Sequence, residues 1–330
     1  VPPQGPEGGR ARRLLGRFYV TGIFWYRFHR WGVTTLPAWA VGPVIVLFTS
    51  FFFVVLRRIR RAIARNLEVV LGPCGWWERQ RRIYRTMWNF AWCLSERYER
   101  LSGRRKPAVS LVGEEIWRER LASPEGFVIV TAHIGNWETA LLHPEAGQER
   151  PIHVVREEEV DPEAQTFIRG LIQGEAGEQV QVHFVRADDV RLAGELLVAL
   201  RRGEVVAAQG DRPRSGGRAL ATRVFGHELD LPLGPAVLAR VTGVEIVPVF
   251  CFRLGRLHTS VVVREPIRVA STDDRQRDLA MAMQRIAAEI QWAIRRQPHQ
   301  WFCFRDLWEG APGSAGEDRE HGVETAALLS

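Results

Sequence analysis

Thr131-Ala132-His133-Ile134-Gly135-Asn136-Trp137-Glu138 decides how this chain is read. It follows Gly126-Phe127-Val128-Ile129-Val130, a short apolar run that predicts a buried strand. It precedes Thr139-Ala140-Leu141-Leu142, which can continue a helix. A histidine therefore stands where a strand ends, with a carboxylate inside the next helical turn. Gly135 permits a tight turn, and Asn136 suits a helix N-cap. An imidazole can take a proton from a hydroxyl near neutral pH, and a neighbouring carboxylate can fix its tautomer. The layout suits general-base chemistry by His133 with Glu138 beside it, and equally a structural histidine, since the spacing alone does not separate the two.

Outward from this stretch, short apolar runs alternate with helical patterns. Strands are predicted at 109–112, 127–131, 152–155, 182–185, 205–208, 222–225, 245–250 and 259–263. Helices are predicted at 136–142, 162–173, 188–200, 234–241 and 272–297. That alternation predicts an α/β fold with a mainly parallel sheet flanked by helices. Ligands of such sheets lie beyond the carboxyl ends of the strands, where His133 falls.

The first third of the chain has a different texture. Net charge is +7, but residues 1–106 hold 20 basic against 5 acidic side chains. The remainder holds 25 against 33. Leu36 to Leu56 carries no charge, and Arg57-Arg58-Ile59-Arg60-Arg61 follows at once. About 20 apolar residues are needed to cross a bilayer. Pro37 and Pro43 weaken a straight span, so a re-entrant or monotopic anchor competes with it. The adjoining arginines indicate a cytoplasmic face and anionic headgroups rather than nucleic acid. Between Leu14 and Trp31 aromatic rings and arginines alternate, which suits the membrane interface. Ile59, Ile63, Leu67 and Val70, and then Ile83, Met87, Phe90 and Leu94, predict two amphipathic helices on either side of Gly72-Pro73.

The domain reading is a disordered start at 1–13, a basic helical membrane-anchoring region at 14–106, a catalytic α/β domain at 107–308 and a disordered tail at 309–330. Nothing near the start has the pattern of a secretory signal. Cys74, Cys93, Cys251 and Cys303 have no metal-ligand spacing and read as reduced thiols.

Several polar groups stand at predicted strand ends. Arg156 closes Ile152-His153-Val154-Val155, and Gln209-Gly210-Asp211-Arg212-Pro213-Arg214 follows Val205-Val206-Ala207-Ala208. Arginines, glycines and helix starts at strand ends are the parts that bind phosphate and steady an oxyanion. In this order they resemble the lysophospholipid acyltransferase superfamily, whose hallmark is His-x4-Asp/Glu, and within it the late acyltransferases of lipid A biosynthesis. His133-Ile-Gly-Asn-Trp-Glu138 is the form expected in that branch. Arg65-Asn66-Leu67, Arg156, Asp211-Arg212, Phe225-Gly226, Pro235, Pro248 and Gln300-Trp301-Phe302 extend the likeness over roughly residues 14–308. The Gln-Gly-Asp order before Arg212, and Phe302-Cys303-Phe304-Arg305 after Trp301, depart from the branch.

The resemblance implies an acyltransferase with His133 as base and Glu138 as its partner. The donor is an acyl thioester on acyl carrier protein or CoA, and the acceptor is a lipid A-type or other glycolipid. No cofactor or metal is expected. Asn136, Arg156, Asp211, Arg212 and Arg214 are the expected substrate-binding residues, with Asp211 left between orienting an arginine and joining the proton relay. The expected place is the cytoplasmic face of a bacterial inner membrane. Competing readings are a non-catalytic basic lipid-binding protein and an enzyme of the same fold with an aminolipid or pigment acceptor. A serine hydrolase lacks its Gly-x-Ser-x-Gly elbow, and a zinc hydrolase lacks His-Glu-x-x-His.

Overall fold

The computed structural model describes residues 27, 31–32, 35–101, 108–137, 150–156, 182–186, 191–212 and 217–308. Glu138, Arg214, both terminal segments and the predicted helix at 162–173 lie outside that set, as does all of 136–142 but Asn136 and Trp137.

Among the described residues nine strands form two sheets. The larger has the order β1 (Ala108–Val112), β9 (His258–Val263), β8 (Ile246–Gly255), β2 (Phe127–Thr131), β5 (Val205–Gln209), β3 (Ile152–Arg156) and β4 (Val182–Arg186). From β8 to β4 all neighbours are parallel. β9 is antiparallel to β8, and β1 is parallel to β9. The sheet is thus mixed and mostly parallel. β2 lies at its middle because both of its faces are apolar: Phe127, Val128, Ile129 and Val130 are all buried.

The odd and even positions of β2 feed different cores. Val128 and Val130 pack beneath α5 (Leu192–Arg201), α6 (Gly234–Thr242) and α7 (Arg275–Arg296). Phe127 and Ile129 join Val154, Ala207, Val249 and Trp117 on the opposite face. Trp117 belongs to α4 (Glu114–Ala122), a helix too short and weakly patterned to be read from the sequence.

The second sheet was not expected. β6 (Ala219–Val224) and β7 (His227–Pro232) pair antiparallel around Phe225-Gly226. Both turn residues have positive φ, 50° and 83°, the requirement of a two-residue type I′ turn. A phenylalanine is a poor sequence signal for that conformation. It is held by the bond from its N–H to Gln291 Oε1 at 2.8 Å and by Arg295 stacked over its ring at 5.1 Å.

Among the described residues, α1 (Ala38–Val55), α2 (Arg57–Leu71) and α3 (Trp76–Leu101) precede the sheet. Eighteen residues span about 27 Å, short of a bilayer core of about 30 Å. Among the described residues no single helix is long and apolar enough to cross a membrane; α1 and α2 pass only as a pair bent by 92°. α1 buries Val41, Ile45 and Thr49 and leaves Trp39, Leu47, Phe51 and Val54 exposed. α2 and α3 share a core with the end of the chain, where Ile59, Ile63, Ile83 and Met87 meet Phe302 and Phe304. Buried Asn66 ties them further, donating to the carbonyls of Cys303 and Arg305 and accepting from the Leu307 N–H.

Candidate active site

β2 and β5 are parallel neighbours, with Thr131 opposite Gln209. Each strand ends two residues before a chemically useful side chain, His133 on one and Asp211 on the other. The result is a hydrogen bond of 2.7 Å between His133 Nδ1 and Asp211 Oδ1. Asp211's side chain is fully enclosed, and its second oxygen accepts from Trp301 Nε1 at 2.9 Å. Burial by itself raises a carboxyl pKa. Here the charge and hydrogen bond of His133, together with Arg212 and the Trp301 indole, outweigh it and hold Asp211 well below the usual carboxylate range. An ionised carboxylate only accepts, so the proton between the two groups is on Nδ1. When the imidazole is neutral, this bond therefore leaves the lone pair on Nε2.

The loop bearing His133 is fixed from three directions. Phe302 N–H donates to the His133 carbonyl at 2.8 Å, Ile134 bridges Trp301, and Gly135 N–H donates to the Gln300 carbonyl at 3.0 Å. Gly135 has φ 53°, and a Cβ there would lie 2.3 Å from the Cys251 carbonyl oxygen. The turn thus requires glycine for both conformation and space. Gln300's own amide closes on β8, accepting from Arg253 N–H and donating to its carbonyl, both at 2.8 Å.

Asn136 points into the protein. Its Nδ2 donates to Glu96 Oε2 at 2.9 Å and Thr259 Oγ1 at 3.3 Å. Glu96 on α3 accepts from Arg253 Nε at 2.8 Å, and that guanidinium lies over the Trp92 ring at 5.1 Å. Burial raises the Glu96 pKa, opposed by Arg253 and Asn136. The Asn136 amide nitrogen is thus engaged in a buried network that links the histidine loop to α3.

The other expected residues fall differently. Arg212 borders the pair; its charge helps lower the Asp211 pKa and opposes the rise that burial gives the Cys303 thiol. Arg156 ends β3 beside Arg186 of β4, its side chain outside the description. Glu138 and Arg214 lie outside the described residues; the carboxylate on Nδ1 is Asp211. Sequence reasoning had Gln300 and Trp301 only as part of the family likeness, without their bonds to the histidine loop and Asp211, and missed Glu96 and Arg253 altogether. Glu96 left one signal, an acid in a strongly basic segment on a buried helix stripe with Asn89 and Cys93.

An apolar groove with a cavity volume of about 220 Å³ covers the sheet face opposite α5–α7. Its floor includes Ile129, Val154, Ala207, Val249 and Cys251. Thr131, Gln209 and Trp137 line the end nearest the pair, and the Trp137 ring is 6.5 Å from the His133 ring. β1 runs opposite to β2, so Glu114 and Trp117, which follow it, line the far end. Among the described residues no cluster of three or more His, Cys, Asp or Glu side chains is placed to hold a metal ion.

A family model described as bacterial lipid A biosynthesis acyltransferase matches residues 10–309. No curated protein matches the chain.

Proposed function

The chain belongs to the bacterial lipid A biosynthesis acyltransferases and is an acyltransferase; from that premise we propose that it transfers a long acyl chain from a thioester to a hydroxyl of a membrane glycolipid, with His133 as general base. The observation that carries this reading is the His133–Asp211 pair at the head of an apolar groove. The thioester is borne by acyl carrier protein or CoA. Its chain lies in the groove, and its carbonyl carbon rests at the rim.

His133 Nε2 takes the proton of the acceptor hydroxyl as the oxygen adds to that carbon. The carbonyl electron pair moves to oxygen, and the resulting imidazolium shares its Nδ1 proton with ionised Asp211. Collapse of the oxyanion re-forms the carbonyl and breaks the carbon–sulfur bond. The departing thiolate takes the proton from Nε2. One ester and one thiol replace one thioester and one alcohol, with no acyl-enzyme. General-base assistance of this kind contributes about 10²–10⁴-fold in rate. Glu138, five residues after the base, remains the proposed second carboxylate. Arg156, Arg212 and Arg214 are proposed to hold phosphates of the acceptor.

We further propose that the enzyme sits on the inner membrane from the cytoplasmic side without α1 crossing it. Trp39, Leu47, Phe51 and Val54 on α1, and Trp76 and Trp77 at the start of α3, support this by their exposure. Arg57, Arg58 and Arg61 are exposed beside them, where anionic headgroups would be met.

The deciding experiment measures ester formation by the full chain in anionic vesicles, from a long-chain thioester and a lipid A precursor. His133→Ala and Asp211→Asn should fold as the wild type does and lose transfer. Near-wild-type turnover in folded His133→Ala would rule out the base.

A further inference from the structure

Gln209 has no part in the proton relay, and its surroundings call for a ligand. It is the last residue of β5 and stands opposite Thr131 at the end of β2. The next residue, Gly210, donates its N–H to the Thr131 carbonyl at 2.9 Å, and the one after is Asp211. Strand alternation puts Ala207 and Gln209 on the groove side of β5, and Ile129 and Thr131 on that side of β2. Beyond Thr131, Gln209 and Trp137 the groove floor is apolar, with Ile129, Val154, Ala207, Val249 and Cys251. Gln209's amide nitrogen is closed to water and has no hydrogen-bond partner. Native proteins seldom leave a buried donor unmade without a use for it. The terminal torsion of a glutamine is broad, so a half-turn carries the NH₂ toward the groove without moving the backbone.

An acyl thioester is an apolar chain ending in one carbonyl acceptor. If the chain fills the groove and the carbonyl carbon meets His133, the carbonyl oxygen arrives at the level of Thr131 and Gln209. We propose that the Gln209 side-chain amide donates a hydrogen bond to the carbonyl oxygen of the bound thioester, and to the oxyanion that replaces it when the acceptor oxygen adds. This rests on the reading of His133 as the base. The bond is present in the ground state and strengthens as charge grows on oxygen, so it acts chiefly on kcat. When the oxyanion collapses and the thiolate leaves, the same donor passes to the carbonyl of the new ester.

The test uses the full chain in anionic vesicles and a myristoyl thioester labelled with ¹³C at the carbonyl, presented on CoA and on acyl carrier protein. Gln209→Met keeps the side chain's length without polar atoms; Gln209→Glu keeps its shape and replaces the donor with an acceptor. Difference infrared spectra should show the bound carbonyl at lower frequency in the wild type than in either variant. Both variants should lose about 10²–10³-fold in kcat, as removal of one oxyanion donor does, with KM for the thioester little changed. His133→Ala should lose transfer yet keep the low-frequency carbonyl, which separates the two readings. Should His133→Ala stay active, the base is wrong and the carbonyl frequency still decides Gln209. An unshifted carbonyl in either folded variant, or a kcat near that of the wild type, overturns the proposal.

Discussion

β2 and α1 are both uncharged, apolar stretches, and the fold treats them in opposite ways. β2 has Val128 and Val130 packed under helices and Phe127 and Ile129 packed on the other face, so neither side meets solvent. α1 buries one stripe and turns Trp39 (79% exposed), Leu47 (67%) and Val54 (66%) outward. Hydrophobicity says only that a segment avoids water. Whether protein or lipid replaces the water depends on what the rest of the chain brings to it. Parallel neighbours and three helices were brought to β2, whereas among the described residues α1 packs mainly on α3, with a smaller contact to α2.

The sharpest way to break this contrast is at the rim of β2. Gly135→Ala would force a Cβ against the Cys251 carbonyl and displace His133; activity should fall by as much as removing the base does, about 10²–10⁴-fold, in a steady-state transfer assay. Next in size, Phe127→Ala should destabilise the protein by about 3–5 kcal/mol in chemical denaturation, the usual cost of emptying a buried aromatic site. Phe51→Ala on α1 should change stability in detergent by no more than about 0.5 kcal/mol, yet weaken partition into anionic vesicles about tenfold or more. That estimate follows from about 1.5–3 kcal/mol per buried large apolar side chain. If Phe51→Ala were as destabilising in detergent as Phe127→Ala, α1's outer face would be a protein contact and the membrane reading would fail.

A smaller effect lies where the helices meet the chain's end. His299 has its pKa lowered to about 4, first by burial and then by Arg85 and Arg82, with Arg81 acting the same way and Glu78 opposing. Its ordinary value is 6.5. Between these values the unfolded chain binds the extra proton and the folded chain does not, so stability declines as pH falls from 6.5 toward 4. His299→Gln should flatten that part of the melting-temperature profile. An unchanged profile would remove His299 from the account.

How much of this was legible in the sequence varied with the range of the cause. β2, its glycine turn and the histidine follow from about ten consecutive residues, and 127–131 came out as a strand with the observed bounds. The order of strands in the sheet does not follow from any local pattern. His133 and Asp211 are 78 positions apart, and only the pairing of β2 with β5 makes them neighbours. Asp211's place was therefore left open. The β6–β7 hairpin escaped because its turn uses Phe225 where Asn or Gly is the usual signal. Asn136 was legible as a polar residue near the base, but its direction depends on Glu96 in a different helix.

The clasp of Gln300, Trp301 and Phe302 on the histidine loop sets an order of events during synthesis. The ribosome makes β2 and β5 long before residue 300, and a nascent chain of 250 residues already contains both His133 and Asp211. It lacks the indole on Asp211, the N–H on the His133 carbonyl and the amide behind Gly135. Competence is thus conferred by some of the last residues of the described fold to emerge, after the helices that would meet the bilayer have long been made.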